Sequence, residues 1–283
     1  VTESRFRLIC FTKAMRSAYT GRLAPSPTGL LHLGHVATFL TVAQRAHSQN
    51  GTLLFRNDDL DHERCLPEFT QAALEDLFWL GIHWHSEPYI QSQRISLYRD
   101  AFSKLRTAGW LYPCTCSRRA IAAALNAPHP IDEEPVYNGH CRPSSPTDFP
   151  EQNLNVNWRF RIPQAELLSF KDGCQGLQQA VAGEMFGDFL VWRKDGYPSY
   201  QLASALDDML LNITEIVRGA DLITSTFRQL LLWRALGHSP PAFYHCPLLA
   251  DESGRRLAKT HQSLAIKTLR ERGLSPEDVR ALA

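Results

Sequence analysis

Between Gly21 and Gln49 the chain has room for one arrangement only. Gly21-Arg22-Leu23-Ala24 reads as a short strand. Pro25-Ser26-Pro27-Thr28-Gly29 cannot continue it, because two prolines remove ladder donors. Leu33 to Gln49 then carries a helical pattern, stopped by Asn50-Gly51 as a left-handed cap. The alternation goes on. Thr52 to Arg56 is a buried-strand candidate, Pro67 opens a helix from Glu68 to Leu80 that Gly81 ends, and a third helix runs from Gln93 to Thr107. Strands alternating with helices of this length predict βαβ units, a parallel sheet and an α/β fold.

The rhythm breaks at residue 110. Up to 196 the chain holds two close cysteines, a polar Pro-rich loop and alternating segments such as Trp158-Arg159-Phe160-Arg161-Ile162. This predicts an inserted, β-rich region. The βα pattern returns with a helix from Tyr200 to Leu211, a strand from Thr214 to Arg218 and a helix from Thr226 to Leu236. The expected division is an N-terminal extension at 1–20, a first catalytic half at 21–109, the insert at 110–196, a second half at 197–245, and a loop with a helical tail at 246–283.

At 283 residues the chain can hold one large domain or two ordinary ones. Seven unevenly placed cysteines argue against a secreted disulfide framework and for a reducing compartment. No run of 18 apolar residues predicts a membrane helix, and the first residues do not resemble a secretory signal. A cytoplasmic monomer without membrane contact is expected. The net charge of +1 does not advertise a polyanion partner.

His32-Leu33-Gly34-His35 opens the helix after the proline loop. A helix N-terminus offers free N–H groups and a positive dipole end, which favour phosphate. Gly34 leaves space for a base or ribose, and His32 and His35, one turn apart, can both donate to phosphate oxygens.

The run Arg22-Leu23-Ala24-Pro25-Ser26-Pro27-Thr28-Gly29, followed by His32-Leu33-Gly34-His35, resembles the glutamyl branch of the class I aminoacyl-tRNA synthetases. The resemblance extends in family order to Arg56-Asn57-Asp58-Asp59-Leu60-Asp61, Tyr200 with Asp207-Asp208, Ile216-Val217-Arg218-Gly219-Ala220-Asp221, and Arg256-Leu257-Ala258-Lys259-Thr260. It implies a class I Rossmann nucleotide-binding fold and in-line attack of an amino-acid carboxylate on ATP, with Mg²⁺ accompanying the nucleotide. His32, His35 and Lys259 are the implied catalytic residues, and His32, Gly34, His35, Arg256 and Lys259 the implied ATP site. Arg256 and Ala258 depart from the family's KMSKS loop, where lysine and serine stand. Arg22, Leu23, Ala24, Pro25, Ser26, Asp58, Tyr200 and Arg218 are the implied L-glutamate pocket. Arg22 and Arg218 would grip carboxylates through guanidinium forks. Asp58 would receive the ammonium, one methylene shorter than the family's usual glutamate.

Cys114-Thr115-Cys116 and, twenty residues on, Tyr137-Asn138-Gly139-His140-Cys141 offer thiolates at two points, a plausible tetrahedral zinc set with one more ligand. The pattern resembles the zinc site of the glutamyl-queuosine tRNA(Asp) subfamily, which implies Cys114, Cys116, Tyr137 and Cys141. His140 and His129 compete for the fourth place.

Only 24 residues follow Lys259, which predicts no anticodon-binding domain. That layout also resembles the subfamily. It implies tRNA-independent activation of glutamate, then transfer to queuosine at the wobble position of tRNA(Asp), with the anticodon arm as partner. Arg118, Arg119, Trp158, Arg159 and Arg161 could supply the RNA-facing surface. The alternatives are a truncated glutamyl-tRNA synthetase charging a tRNA 3′ end, and a non-catalytic nucleotide- or RNA-binding paralogue.

Overall fold

The computed structural model describes residues 18–117, 136–145, 149, 155–249 and 265–283. β1 (Thr20–Leu23) pairs in parallel with β2 (Thr52–Asn57), and β2 with the short β3 (Tyr89–Ile90). α1 (Leu33–Ser48) and α2 (Pro67–Trp79) make the crossovers. A 3-10 turn at Gln91–Arg94 leads into α3 (Ile95–Thr107). The chain then builds an antiparallel sheet from β4 (Leu111–Cys114), β5 (Asn157–Phe160) and β8 (Phe189–Trp192), in the order β4-β5-β8. Between β5 and β8 lies a hairpin, β6 (Leu167–Asp172) and β7 (Gly176–Val181). α4 (Tyr200–Leu210), β9 (Glu215–Gly219), α5 (Ile223–Ala235) and β10 (Ala242–Cys246) follow, then α6 (Ile266–Glu271) and α7 (Pro276–Leu282).

β9 pairs in parallel with β10, and its start lies beside β1. Thr214 N–H donates to Thr20 O at 2.9 Å, and Thr20 N–H to Thr214 Oγ1 at 2.9 Å. The strands therefore run outward from β1 through β2 and β3, then from β9 through β10 on the other side. A doubly wound sheet opens a crevice at that reversal, beyond the carboxyl ends of its strands. Arg45 of α1 clamps the two halves. It grips both oxygens of Glu215 at 2.7 Å, stacks 4.0 Å over the Tyr244 ring, and shares Glu215 with the Tyr19 hydroxyl.

The expected α/β pattern is present, with instructive differences. α5 begins at Ile223 rather than Thr226, because a 3-10 turn at Ala220–Leu222 leads into it. β3 is two residues long and leaves no period to read. β6 joins β10 in parallel through Asp172 and Phe243, so the hairpin, which the sequence places within the insert, extends the sheet of β9 and β10. Nor does the β4-β5-β8 sheet keep a core to itself. Phe102 of α3 packs 5.2 Å from both Trp158 and Trp192, in one cluster with Leu202 and Leu206 of α4 and Phe227 of α5. No helix among the described residues is long and apolar enough to cross a membrane.

Candidate active site

Side chains alternate along a strand. Leu23 therefore enters the core while its neighbours Arg22 and Ala24 face the crevice. A cavity of about 290 Å³ opens there, lined by Arg22, Ala24, Ser26, Arg56, Asp58, Tyr200 and Arg218, with Thr38 and Phe39 of α1 at its side. Pro25 acts through its main chain, its carbonyl holding the Asp58 N–H at 3.0 Å.

The charges around this cavity are ordered by α4. Leu202 to Met209 are all buried, so the adjacent carboxylates Asp207 and Asp208 need partners. Asp208 Oδ1 accepts from Arg22 Nε at 3.0 Å and from Arg56 Nη1 at 2.7 Å. Asp207 accepts from Arg94, Gln91 and Tyr98 at 2.8, 3.0 and 2.8 Å. Arg56 is fully enclosed and also forks onto Asp58 at 2.6 and 3.1 Å. Burial pushes the Asp58 carboxyl up against the pull of Arg56, with Asp207 and Asp208 adding to the push, to about 6.

Arg218 is different. It is 5% exposed, and its hydrogen-bond partners among the described residues are the neutral groups His245, Tyr200 and Thr226, at 3.3, 3.2 and 2.7 Å. Burial, then the nearby Arg22, lowers its pKa. A buried cation without a carboxylate partner is costly, and an anionic ligand would relieve that cost.

At the start of α1, His32 is the N-cap. Its Nδ1 accepts the Gly34 N–H at 3.1 Å, while His35 Nδ1 accepts the His32 N–H at 3.3 Å. The rings stack 3.8 Å apart. With Nδ1 accepting in both, each neutral ring carries its proton on Nε2, the tautomer that donates outward. Gly34 has a reason the sequence did not show, since a Cβ there would lie 3.0 Å from His32 Cε1. His35 lies one turn before Thr38 and Phe39 and His32 about two, and neither lines the cavity. Ile266 N–H donates to Leu31 O at 2.9 Å, so the chain returning after residue 264 lies against the histidines. Arg256 and Lys259 lie outside the described residues.

A second cavity of about 940 Å³ adjoins the first, sharing Ser26, Asp58 and Tyr200. Asp61, His62, Arg64, Arg193 and Tyr197 stand along it, with His62 edge-on to the Tyr197 ring at 4.2 Å.

The cysteine pattern converges as well. The sulfurs of Cys114, Cys116 and Cys141 lie within 4.8 Å of one another. Cys116 and Cys141 are 3.6 Å apart, and the Tyr137 hydroxyl is 3.5 Å from Cys114 and 3.7 Å from Cys116. Ligand bonds of about 2.3 Å in a tetrahedron give edges near 3.8 Å, so these four groups fit one ion. Burial raises the Cys141 thiol, but a backbone hydrogen bond at Thr115 and those with Tyr137 and Cys116 bring it down to about 6, favouring thiolate at neutral pH. His140 is exposed and stands apart in this set, and His129 lies outside the described residues.

The proposed RNA-facing residues need correction. Trp158 and Arg159 are buried, the first against Phe102, the second 4.0 Å over the Tyr137 ring with Nε 3.3 Å from Cys114 Sγ. Arg161 is turned toward the carbonyls of Pro143 and Ser145, and Arg118 and Arg119 lie outside the described residues. Sequence reasoning assigned no role to Arg56, Asp207, Asp208, Asp172, Thr226 or His245. The signal for two of them was available, as Asp207-Asp208 sets two adjacent carboxylates into a mostly apolar helix.

Residues 19–282 match the family described as tRNA synthetases class I (E and Q), catalytic domain. A "Glutamyl-Q tRNA(Asp) synthetase" of Rhodopirellula baltica is 42% identical over 94% of this chain and 84% of its own length. A "Glutamate--tRNA ligase 2" of Nitrosococcus oceani is 37% identical over 93% of this chain and 58% of its own. The fold is similar to a glutamate tRNA ligase structure from Elizabethkingia meningosepticum, with a TM-score of 0.73 at 24% identity, over 91% of this chain and 54% of that one.

Proposed function

The chain belongs to the class I tRNA synthetases of the glutamyl and glutaminyl type, and on that premise we propose how its pocket works. The protein activates L-glutamate with ATP and transfers it to queuosine at the wobble position of tRNA(Asp). The observation that carries the choice of amino acid is Arg218, a buried guanidinium facing the cavity with no carboxylate partner among the described residues. The substrate's side-chain carboxylate completes it, and Arg22, which lines the same cavity, adds positive charge. Asp58 takes the ammonium. Two relatives named "Glutamyl-Q tRNA(Asp) synthetase", each 42% identical over 92–94% of this chain and 83–84% of their own length, favour the queuosine acceptor.

In the first step the α-carboxylate oxygen attacks the α-phosphorus of ATP, and the bond to pyrophosphate breaks. Donors held where charge develops are the protein's main contribution. His32 and His35 present Nε2–H to the phosphate oxygens, and Arg256 and Lys259 accompany the leaving pyrophosphate with Mg²⁺. In the second step a cyclopentene hydroxyl oxygen attacks the glutamyl carbonyl, its proton passes to a phosphate oxygen of the departing AMP, and AMP leaves with the bonding pair. The larger cavity admits this acceptor, because Ser26, Asp58 and Tyr200 border both spaces. Recognition of the anticodon arm would rest on exposed bases and phosphates. Cys114, Cys116, Cys141 and Tyr137 hold one structural zinc. The thiols outside that cluster, Cys65, Cys174 and Cys246, suit the reducing cytosol, and the chain acts there as a monomer.

The test is incubation with ATP, labelled glutamate, and tRNA(Asp) with and without queuosine. Label in the anticodon loop, lost when the base is unmodified, is expected. Label at the 3′ end regardless of modification would assign the chain to tRNA charging, and no glutamate-dependent pyrophosphate exchange would make it a binding protein. Arg22→Ala and Arg218→Ala should each raise the glutamate KM in that exchange at least tenfold, as loss of a charged hydrogen bond does.

A further inference from the structure

A carboxylate placed directly on Arg218 would fix the guanidinium but neutralise the charge its ligand needs. The structure fixes it another way. Arg218 Nε donates to His245 Nε2 at 3.3 Å, and Nη2 donates to Thr226 Oγ1 at 2.7 Å. His245 has no exposure, and its Nδ1 lies 2.6 Å from Asp172 Oδ2. Asp172 is itself held by the backbone N–H groups of Cys174, Gln175 and His245, at 2.9, 2.8 and 3.1 Å. The proton of the ring therefore sits on Nδ1 and faces the carboxylate, leaving Nε2 as an acceptor aimed at Arg218.

Two further observations agree with a neutral ring. Burial and the Arg218 cation lower the His245 pKa despite the pull of Asp172. Burial works against the Asp172 charge too, but the backbone donors and His245 outweigh it and keep the carboxyl below its usual range. The negative charge thus stands one imidazole away from the guanidinium.

We propose that His245, anchored by Asp172 and joined by Thr226, is a positioning residue that sets Arg218 for the substrate's side-chain carboxylate while leaving its charge available. This rests on the reading of Arg218 as a glutamate anchor. The arrangement explains why β10 carries a polar residue at full burial, and why the β6–β7 hairpin joins the sheet of β9 and β10 at Asp172. It makes dicarboxylate selectivity a property of β6, β9, β10 and α5 acting together.

The test is tRNA-free pyrophosphate exchange, with the glutamate KM, ATP KM and kcat measured separately, and thermal unfolding as the control for folding. His245→Asn keeps an amide donor near Asp172 but falls short of Arg218, so the glutamate KM should rise about tenfold while the ATP KM stays put. His245→Gln places an acceptor near the Nε2 position and should bring that KM back to within about threefold of the unmutated value. Thr226→Val, nearly isosteric, should raise the glutamate KM severalfold, and Thr226→Ser should restore it. An unchanged glutamate KM in folded His245→Asn and Thr226→Val overturns the proposal, as does a parallel rise in the ATP KM. Should His245→Asn fail to fold, the Thr226 pair decides. If Arg218→Ala raises the KM and these variants do not, the positioning role falls and the pocket stands. If Arg218→Ala itself leaves the KM unchanged, both fall.

Discussion

A carboxyl group enclosed by protein keeps its proton longer than one in water, and Asp58 does so up to about 6, against 3.8 unperturbed. Between those values the folded state holds a proton that the unfolded chain has lost, so this group makes stability fall as pH rises through the window, with no further change above it. Binding runs the other way, because an ammonium needs the ionised form. The glutamate KM should fall as pH rises through about 6, and Asp58→Asn should abolish that limb while raising the KM throughout. A limb that persists in the variant would belong to another group. Arg56 is the residue on which the surrounding carboxylates depend. Replacing it with methionine leaves Asp58 and Asp208 without their shared cation, and removing one member of a buried pair costs about 3–5 kcal/mol. Urea unfolding should register a loss of that size, or the variant should fail to fold.

Among the elements, α1 joins local physics to chemistry most closely. Its first turn is capped by two imidazoles, and Gly34 is bare because a Cβ would meet the His32 ring. Gly34→Ala should therefore part stability from activity. Alanine favours a helix by up to about 1 kcal/mol over glycine, so the melting temperature should hold or rise. Exchange activity should fall as the ring is displaced, and equal activity would show that the ring can move without consequence. The same helix shows what the sequence made legible. A strand, a proline loop and a capped helix follow from local rules, and the ordered motifs pointed to Arg22, Asp58, Tyr200 and Arg218, which line one cavity. The supporting charges were not legible in this way. Arg56 with Asp208, and Asp172 with His245, are pairs made by topology across 152 and 73 residues, and spacing along the chain carries no trace of such meetings. Trp158 and Arg159 misled for a related reason. Alternation along β5 looks the same whether the face opposite Trp158 meets solvent or, as Arg159 does, the cysteine cluster.

For the whole molecule, the cluster of Cys114, Cys116, Cys141 and Tyr137 beside β4 shares its surroundings with the main core through Phe149, which packs against both Trp158 and this cluster. Chelation should lower the melting temperature and loosen amide protection around residues 111–117 and 136–142, while β1 and β2 remain protected in hydrogen exchange. Uniform loss of protection would mean that the cluster supports the entire fold, and no loss would mean that it holds no structural metal. The junction of β1 with β9 has a consequence of another kind. Thr20 meets Thr214 across 194 residues, and Arg22 meets Asp208 across 186. On the ribosome, the first half of the crevice is made long before the helix that bears its counter-ions. Contacts so distant in the chain form slowly and only after the intervening segments are in place. A nascent polypeptide therefore lacks the paired form of this crevice until Asp208, Arg218 and His245 have all emerged.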